Sequence, residues 1–103
     1  MNIQLRTDNN VQHDDSVVRH VEAMVEQHLG RYGEQLTRVE VHVSDTNAGK
    51  GGERDKHCVM EARLEGRPPV AASEDAGELA LAITGAAKKL RRALGHSLGK
   101  LGH

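Results

Sequence analysis

Residues 78–101 read ELALAITGAAKKLRRALGHSLGKL, and this stretch decides the fold. Its apolar residues recur at intervals of three or four, which aligns one face of an α-helix. They are Leu79, Ile83, Ala87, Leu90, Leu94, Leu98 and Leu101. The pattern predicts a long helix that packs this face inward. Gly85 predicts close packing against a sheet, and the glycines from Gly95 onward predict fraying of the helix end.

The same stretch carries most of the unopposed positive charge. Five of the 14 Lys+Arg follow residue 78, whereas all 15 Asp+Glu lie at or before it. The last 25 residues therefore sum to +5 and the first 78 to −6, which the total of −1 hides. Such asymmetry points to a polyanionic partner, either a nucleic acid or an anionic membrane surface. Charged helix faces are also commonly just solvated, so the charge alone leaves this open.

Length and composition limit the class of protein. A chain of 103 residues forms one domain, predicted to span residues 1–103 with an ordered core of about 1–98. The chain has no Trp or Phe, and Tyr32 is its one aromatic residue, so RNA contacts would go to phosphate and sugar rather than through base stacking. A single cysteine, Cys58, excludes an internal disulfide. No leader or membrane-length apolar run is present, so we expect a cytoplasmic protein.

Alternating apolar and polar residues predict four strands before the long helix. Their predicted bounds are Asn2–Arg6, Arg38–Ser44, about Lys56–Glu65 and Val70–Ser73. Pro68 and Pro69 favour an edge position for the last strand, because proline cannot donate a ladder hydrogen bond. Residues 73–75 are predicted to lead into the long helix.

A further helix is predicted between the first two strands. Asp14, Asp15 and Ser16 are candidate N-caps, and apolar residues continue at helical spacing to about Leu29. The resulting order, β-α-β-β-β-α, predicts an α+β fold with a four-stranded mixed sheet and two helices packed on one face. The right-handed crossover rule makes the first two strands parallel.

No constellation of residues predicts catalysis, a cofactor or a metal site. His42 and His57 are candidate cross-strand neighbours, but two ligands do not close a metal site, and no CxxC or HExxH spacing is present. His57 and Cys58 point to opposite faces of their strand and cannot form a nucleophile–base pair. The GKGG string at residues 49–52 lacks the Walker spacing and is predicted to be a loop.

Four strings, in this order and spacing, resemble the ribosome hibernation factors, also called ribosome-associated inhibitors or ribosomal subunit interface proteins, in their short form. They are TDNNV (Thr7–Val11), VEVHVSD (Val39–Asp45), DKHCVMEARLEG (Asp55–Gly66) and AITGAAKKLRRAL (Ala82–Leu94). The resemblance spans nearly the whole chain. It departs from many relatives at Ala80 and Thr84, where they have Tyr and Asp, and in a more acidic first helix.

The resemblance implies a bacterial, non-enzymatic translation inhibitor of stress and stationary phase. Such a protein occupies the decoding region of the small ribosomal subunit through a basic second helix, so that messenger and transfer RNA cannot bind. The implied RNA-binding residues are Lys88, Lys89, Arg91, Arg92 and Lys100 on that helix, Arg19 and Arg31 on the first helix, and Lys50, Arg54 and Lys56 from a loop. We expect a monomer without cofactor, membrane or small-molecule partner, and no ribosome dimerisation by this chain alone.

Two alternative functions remain open at this stage. The AAKKLRRAL string also resembles the basic second helix of double-stranded-RNA-binding modules, which would act on other RNA. A protein-binding adaptor is the alternative from a different class, and salt-insensitive association with a protein would favour it. An enzyme would need a convergent nucleophile, base or metal set, which the sequence does not provide.

Overall fold

The elements follow one another in the order β-α-β-β-β-α in the computed structural model, which describes residues 2–8, 11, 14–45 and 55–101 and, for residues 100 and 101, the backbone alone. Their bounds are β1 Asn2–Thr7, α1 Asp15–Leu29, β2 Leu36–Asp45, β3 Lys56–Leu64, β4 Val70–Ala76 and α2 Leu79–Leu101. A single 3-10 turn, Gly30–Tyr32, extends α1. The predicted α+β class and element order are confirmed.

The four strands form one mixed sheet in the order β1-β2-β3-β4. β1 runs parallel to β2, with Ile3 opposite Val39, and the other two pairings are antiparallel. The parallel pair confirms the prediction made from the helical crossover between these strands. β1 and β4 are therefore the two edges, and β2 and β3 form the centre.

One face of the central strands builds the core beneath both helices. Its residues are 1% exposed or less: Val39, Val41 and Val43 on β2, and Cys58, Met60 and Ala62 on β3. The helices cover this face, with α2 over β3 and β4 and α1 beside α2. The buried face of α2 also includes Ala82 and Ala86, so it is wider than the predicted stripe of larger residues. These alanines let the helix axis lie close to the sheet.

The end of β4 and the start of α2 differ from the prediction. β4 continues to Ala76 rather than ending at Ser73, so residues 73–75 belong to the strand instead of leading into the helix. Long β3 supplies antiparallel partners for the extra residues, with Glu74 opposite Cys58 and Ala76 opposite Lys56. Backbone pairing with a longer neighbour overrides the poor strand propensity of acidic residues.

The helix ends are set by specific contacts. At the start of α1, Asp14 Oδ1 accepts a hydrogen bond from the Val17 amide at 3.0 Å, which confirms Asp14 as an N-cap. At the other end of the chain, α2 continues past Gly95 to Leu101, and fraying beyond Gly95 stays a prediction. Burial of Leu94 and partial burial of Leu98 stabilise this last part of the helix against the core.

Candidate functional site

The two helices lie side by side and run in the same direction. Near their starts, His20 Nε2 lies 3.1 Å from the Ala80 carbonyl oxygen and 3.0 Å from Thr84 Oγ1. Farther along, Tyr32 follows α1 and its hydroxyl lies against Gly95, where an added Cβ would approach it to 3.1 Å. Increasing residue numbers on α1 thus match increasing numbers on α2. The outer sides of both helices form one continuous surface.

His20 is a contact that sequence reasoning missed. It joins the helices at Ala80 and Thr84. A proton on Nε2 lets the ring donate to both oxygens. The spacing of apolar residues on α1 gives no signal for this contact, because it depends on how the two helices are placed in space.

Cations cluster where the last turns of α1 meet the middle of α2. His28 is buried at 4% exposure. Its burial lowers the pKa of its imidazole, and the positive charges of Arg91 and then Lys88 lower it further. Arg31 lies one turn beyond His28, with its guanidinium 5.9 Å from the centre of the Tyr32 ring. Residues of both helices therefore contribute positive charge to this junction.

Among the described side chains of α2, Lys88, Arg91 and Arg92 are the Lys and Arg residues without an ion pair. Lys88 and Arg92 are exposed and one turn apart, and Arg91 is partly buried on the side near α1. Within the described residues, none of these three makes an ion pair with a carboxylate. We call Arg31, Lys88, Arg91 and Arg92 the helix-face cations. Three of them come from the predicted set on α2, and Arg31 from the lower-ranked set on α1.

Two other predicted RNA-binding residues, Lys89 and Lys56, form ion pairs with carboxylates of the same chain. Lys89 Nζ donates to Glu74 Oε1 on β4 at 2.7 Å. Lys56 Nζ lies 3.1 Å from a carboxylate oxygen of Asp45 and 3.1 Å from one of Asp55. These hydrogen bonds raise the pKa of Lys56, and the one that Lys56 donates to Asp45 has the largest effect. The charges of both lysines are thus balanced locally, unlike those of the helix-face cations.

Of the other predicted RNA-binding residues, one lies apart from the helix-face cations and three lie outside what the structure describes. Arg19 is exposed on α1, and its Nε donates to the Asp15 carbonyl oxygen at 3.3 Å. Lys50, Arg54 and the side chain of Lys100 lie outside the described residues. Glu74, the partner of Lys89, was missed because it was assigned to the helix entry rather than to a strand. The spacing of Ala72, Glu74 and Ala76 at every second residue was the signal that could have indicated a strand with Glu74 on its inner face.

The outer face of the sheet is a separate, charge-balanced surface. Glu40 Oε2 accepts from Arg38 at 2.8 Å and from Arg63 at 2.9 Å, and Arg63 also pairs with Glu61. His57 pairs with Asp75 on β4. The register sets His42 opposite Val59 and His57 opposite Ser44, so the two histidines are diagonal neighbours on adjacent strands, as the sequence predicted. This face carries no concentrated positive charge.

Two observations on the described residues concern possible reactive groups, the single cysteine and the metal-ligating side chains. Cys58 is buried in the core, and burial raises the pKa of its thiol to about 12, so the thiolate needed for nucleophilic attack does not form near neutral pH. Across the described part of the chain, no three His, Cys, Asp or Glu side chains come together as a possible metal site. None of the described helices is long and apolar enough to cross a membrane.

Comparisons with known proteins link this fold to ribosome-associated proteins. The sequence profile of the family described as "Sigma 54 modulation protein / S30EA ribosomal protein" matches residues 3–101. The crystal structure of the Thermus thermophilus Protein Y N-terminal domain is 25% identical and has a TM-score of 0.75, covering 94% of this chain and 99% of that domain. No curated protein matched the sequence.

A second solved structure shares the fold at lower identity. This protein, described as a ribosomal subunit interface protein from Coxiella burnetii, is 15% identical and has a TM-score of 0.77. The match covers 96% of this chain and 99% of the Coxiella protein. Each structural match therefore covers nearly all of this chain and nearly all of the matched chain, so the whole fold described above is shared.

Proposed function

The chain belongs to the family of sigma 54 modulation proteins and S30EA ribosomal proteins, the ribosome hibernation factors, and from that premise we propose that it binds the small ribosomal subunit and inhibits translation by occupancy. The bound protein fills the decoding region and excludes messenger and transfer RNA. It acts as a cytoplasmic monomer, in bacterial stress or stationary phase. No covalent chemistry is involved.

The observation that carries this proposal is the set of helix-face cations. Arg91 and Lys88 act on buried His28 of α1, Arg31 follows in the turn after that helix, and no described carboxylate pairs with Lys88, Arg91 or Arg92. Neutralising RNA phosphates with such side chains releases condensed counterions, which favours binding and makes it depend steeply on salt. Arginine and lysine contacts to phosphate position a protein without reading bases, which suits a chain with one aromatic residue.

The charge-balanced sheet face supports a defined orientation on the subunit. Arg38 and Arg63 already pair with Glu40 and Glu61, so an approaching phosphate gains little attraction there and meets two carboxylates. Lys56 also offers little attraction to a phosphate, because it already pairs with the carboxylates of Asp45 and Asp55. We therefore propose that the helix side contacts ribosomal RNA and that Lys56 contributes less than its charge suggests.

Co-sedimentation with purified small subunits across a salt series tests the proposal. The helix triple variant carries Lys88→Ala, Arg91→Ala and Arg92→Ala. The matched sheet triple variant carries Arg6→Ala, Arg38→Ala and Arg63→Ala, which changes the net charge equally on the opposite face. Each phosphate contact contributes roughly one unit to the slope of log affinity against log salt. We expect the helix variant to bind weakly with a slope flatter by about two to three units, and the sheet variant to bind as the wild type does.

Equal effects of the two variants would contradict a helix-face site, because the loss would then follow net charge alone. Free duplex RNA serves as a competitor in the same assay. If it displaces the protein as well as small subunits do, the double-stranded-RNA-binding function replaces the proposed one. Circular dichroism spectra of both variants should match the wild type, which establishes that any loss of binding is not a loss of fold.

A further inference from the structure

Glu74 reaches the cationic helix from the sheet. β4 presents Ala72, Glu74 and Ala76 toward the helices, while Ser73 and Asp75 point to the outer face. The Glu74 carboxylate crosses to α2 and accepts from Lys89 Nζ at 2.7 Å. It is the one acidic side chain of the described residues that pairs with a cation of α2.

Gly85 provides the space in which the Glu74 side chain lies. A Cβ built at this glycine would fall 2.6 Å from Glu74 Cγ and 2.6 Å from Oε2, too close for any side chain to fit without displacing Glu74. Gly85 sits one turn before Lys89 on the same side of α2, so the carboxylate passes over the glycine to reach the lysine. The sequence predicts close helix-to-sheet packing at Gly85, and the close neighbour proves to be this side chain.

The ion pair is only partly exposed to water. The Glu74 side chain is 28% exposed and the Lys89 side chain 50%, so solvent screens the attraction only in part. A phosphate that contacts Lys89 would approach the Glu74 carboxylate as well, and like charges repel. Lys88 and Arg92, which lie on α2 near Lys89, make no ion pair with a carboxylate of the described residues.

We propose that Glu74 is an internal competitor for RNA phosphate, which holds Lys89 out of the binding surface and limits the affinity of the protein for the ribosome. The inference rests on the proposed function, since it assigns a regulatory contact to the same surface. Lys89 contributes little to binding in the native protein, although it carries the same charge as Lys88 and is likewise exposed. Removing the carboxylate releases Lys89 as one additional phosphate contact.

Four proteins test this competitor: the wild type, Glu74→Gln, Lys89→Ala and the double variant. Their binding to purified small subunits is measured between about 50 and about 200 mM salt. We expect Glu74→Gln to bind more tightly at low salt and its affinity to fall by a further factor of roughly three across this range, as one added contact requires. Lys89→Ala alone should leave the affinity for small subunits nearly unchanged. Combined with Glu74→Gln, it should abolish the increase in affinity that Glu74→Gln produces.

Two control variants separate the specific contact from general electrostatics. Glu78→Gln removes the same charge near the start of α2 without touching Lys89, so it should change binding less than Glu74→Gln. Lys88→Ala should weaken binding of the wild type. If Glu78→Gln raises the affinity for small subunits as much as Glu74→Gln does, the proposal that Glu74 is an internal competitor is wrong. It is also wrong if Lys89→Ala weakens binding as much as Lys88→Ala. In both cases the proposed function stands. If the wild type itself does not bind small subunits, both proposals fall.

Discussion

Cys58 shows how burial alone fixes the chemistry of a side chain. Its position on β3 points it into the core opposite Val43, and burial raises the pKa of its thiol to about 12. The unfolded chain releases this proton near pH 9, so the folded state holds more protons between pH 9 and 12. The stability contributed by the protonated thiol is complete below pH 9 and is lost as pH rises through that range.

We therefore predict that the free energy of unfolding falls by up to about 4 kcal/mol between pH 9 and 12 because of this thiol. Urea unfolding curves at a series of pH values measure the fall. In the Cys58→Ala variant, which starts from lower stability because of the cavity, the pH dependence should be shallower by the same amount. Parallel curves for the two proteins would show that Cys58 ionises normally in the folded state.

Single residues were predictable where their role follows from local pattern. Asp14 as an N-cap and Cys58 as a core residue both follow from their immediate neighbours in sequence. Glu74 and His20 were not predictable, since their partners Lys89 and Thr84 lie 15 and 64 residues away in the chain. A carboxylate in a weak strand pattern has no preferred partner until the helix is placed above it. The pairing that divides the cations of α2 is therefore a tertiary property.

At the scale of elements, the period of the hydrophobic residues predicted every strand and both long helices, and most of their boundaries lie within two residues of the observed ones. Alternation in β2 and β3 predicted the buried face, because a shift of one residue would turn that face to water. The long apolar stripe similarly gave α2. β4 was assigned too short, because residues 74–76 carry two acids and only the longer β3 beside them supplies backbone partners. The apolar stripes predicted that both helices cover one face of the sheet, but which residues of α1 meet which residues of α2 had no periodic signal.

The two faces of the sheet allow a matched test of the central elements. Val41 on β2 is 1% exposed beneath the helices, whereas Val59 on β3 lies partly exposed on the outer face. We predict that Val41→Asp unfolds the domain, because it buries an unpaired charge at a cost of several kcal/mol. Val59→Asp should cost about 1 kcal/mol or less, since its carboxylate remains in water.

Thermal unfolding followed by circular dichroism compares these two variants. A cooperative native transition should be absent for Val41→Asp and present for Val59→Asp at a slightly lower temperature. A native transition for Val41→Asp would show that residue 41 does not face the core, and the assignment of the sheet faces would have to be reversed. The pair isolates burial, because the chemical change is the same in both.

At the scale of the whole molecule, the distribution of charge matters more than its sum. The net charge is −1, yet the positive charge of α2 lies on one side and the ion pairs of the sheet on the other. Charges are screened over about 10 Å at 0.1 M salt, and the molecule measures at least 20 Å along every principal axis. A polyanion therefore interacts with one face at a time. The sequence predicted this asymmetry along the chain, and the fold converts it into an asymmetry between two surfaces.

This arrangement predicts that the protein binds a heparin column at low salt despite its net negative charge. Heparin presents a dense row of sulfates, so retention reports the local positive surface, independently of any ribosomal contact. The helix triple variant should pass through unretained, whereas the sheet triple variant, which has the same net charge, should elute at nearly the wild-type salt concentration. Equal loss of retention in both would mean that the described faces do not act separately. In that case, the proposed orientation on the ribosome would lose its electrostatic basis.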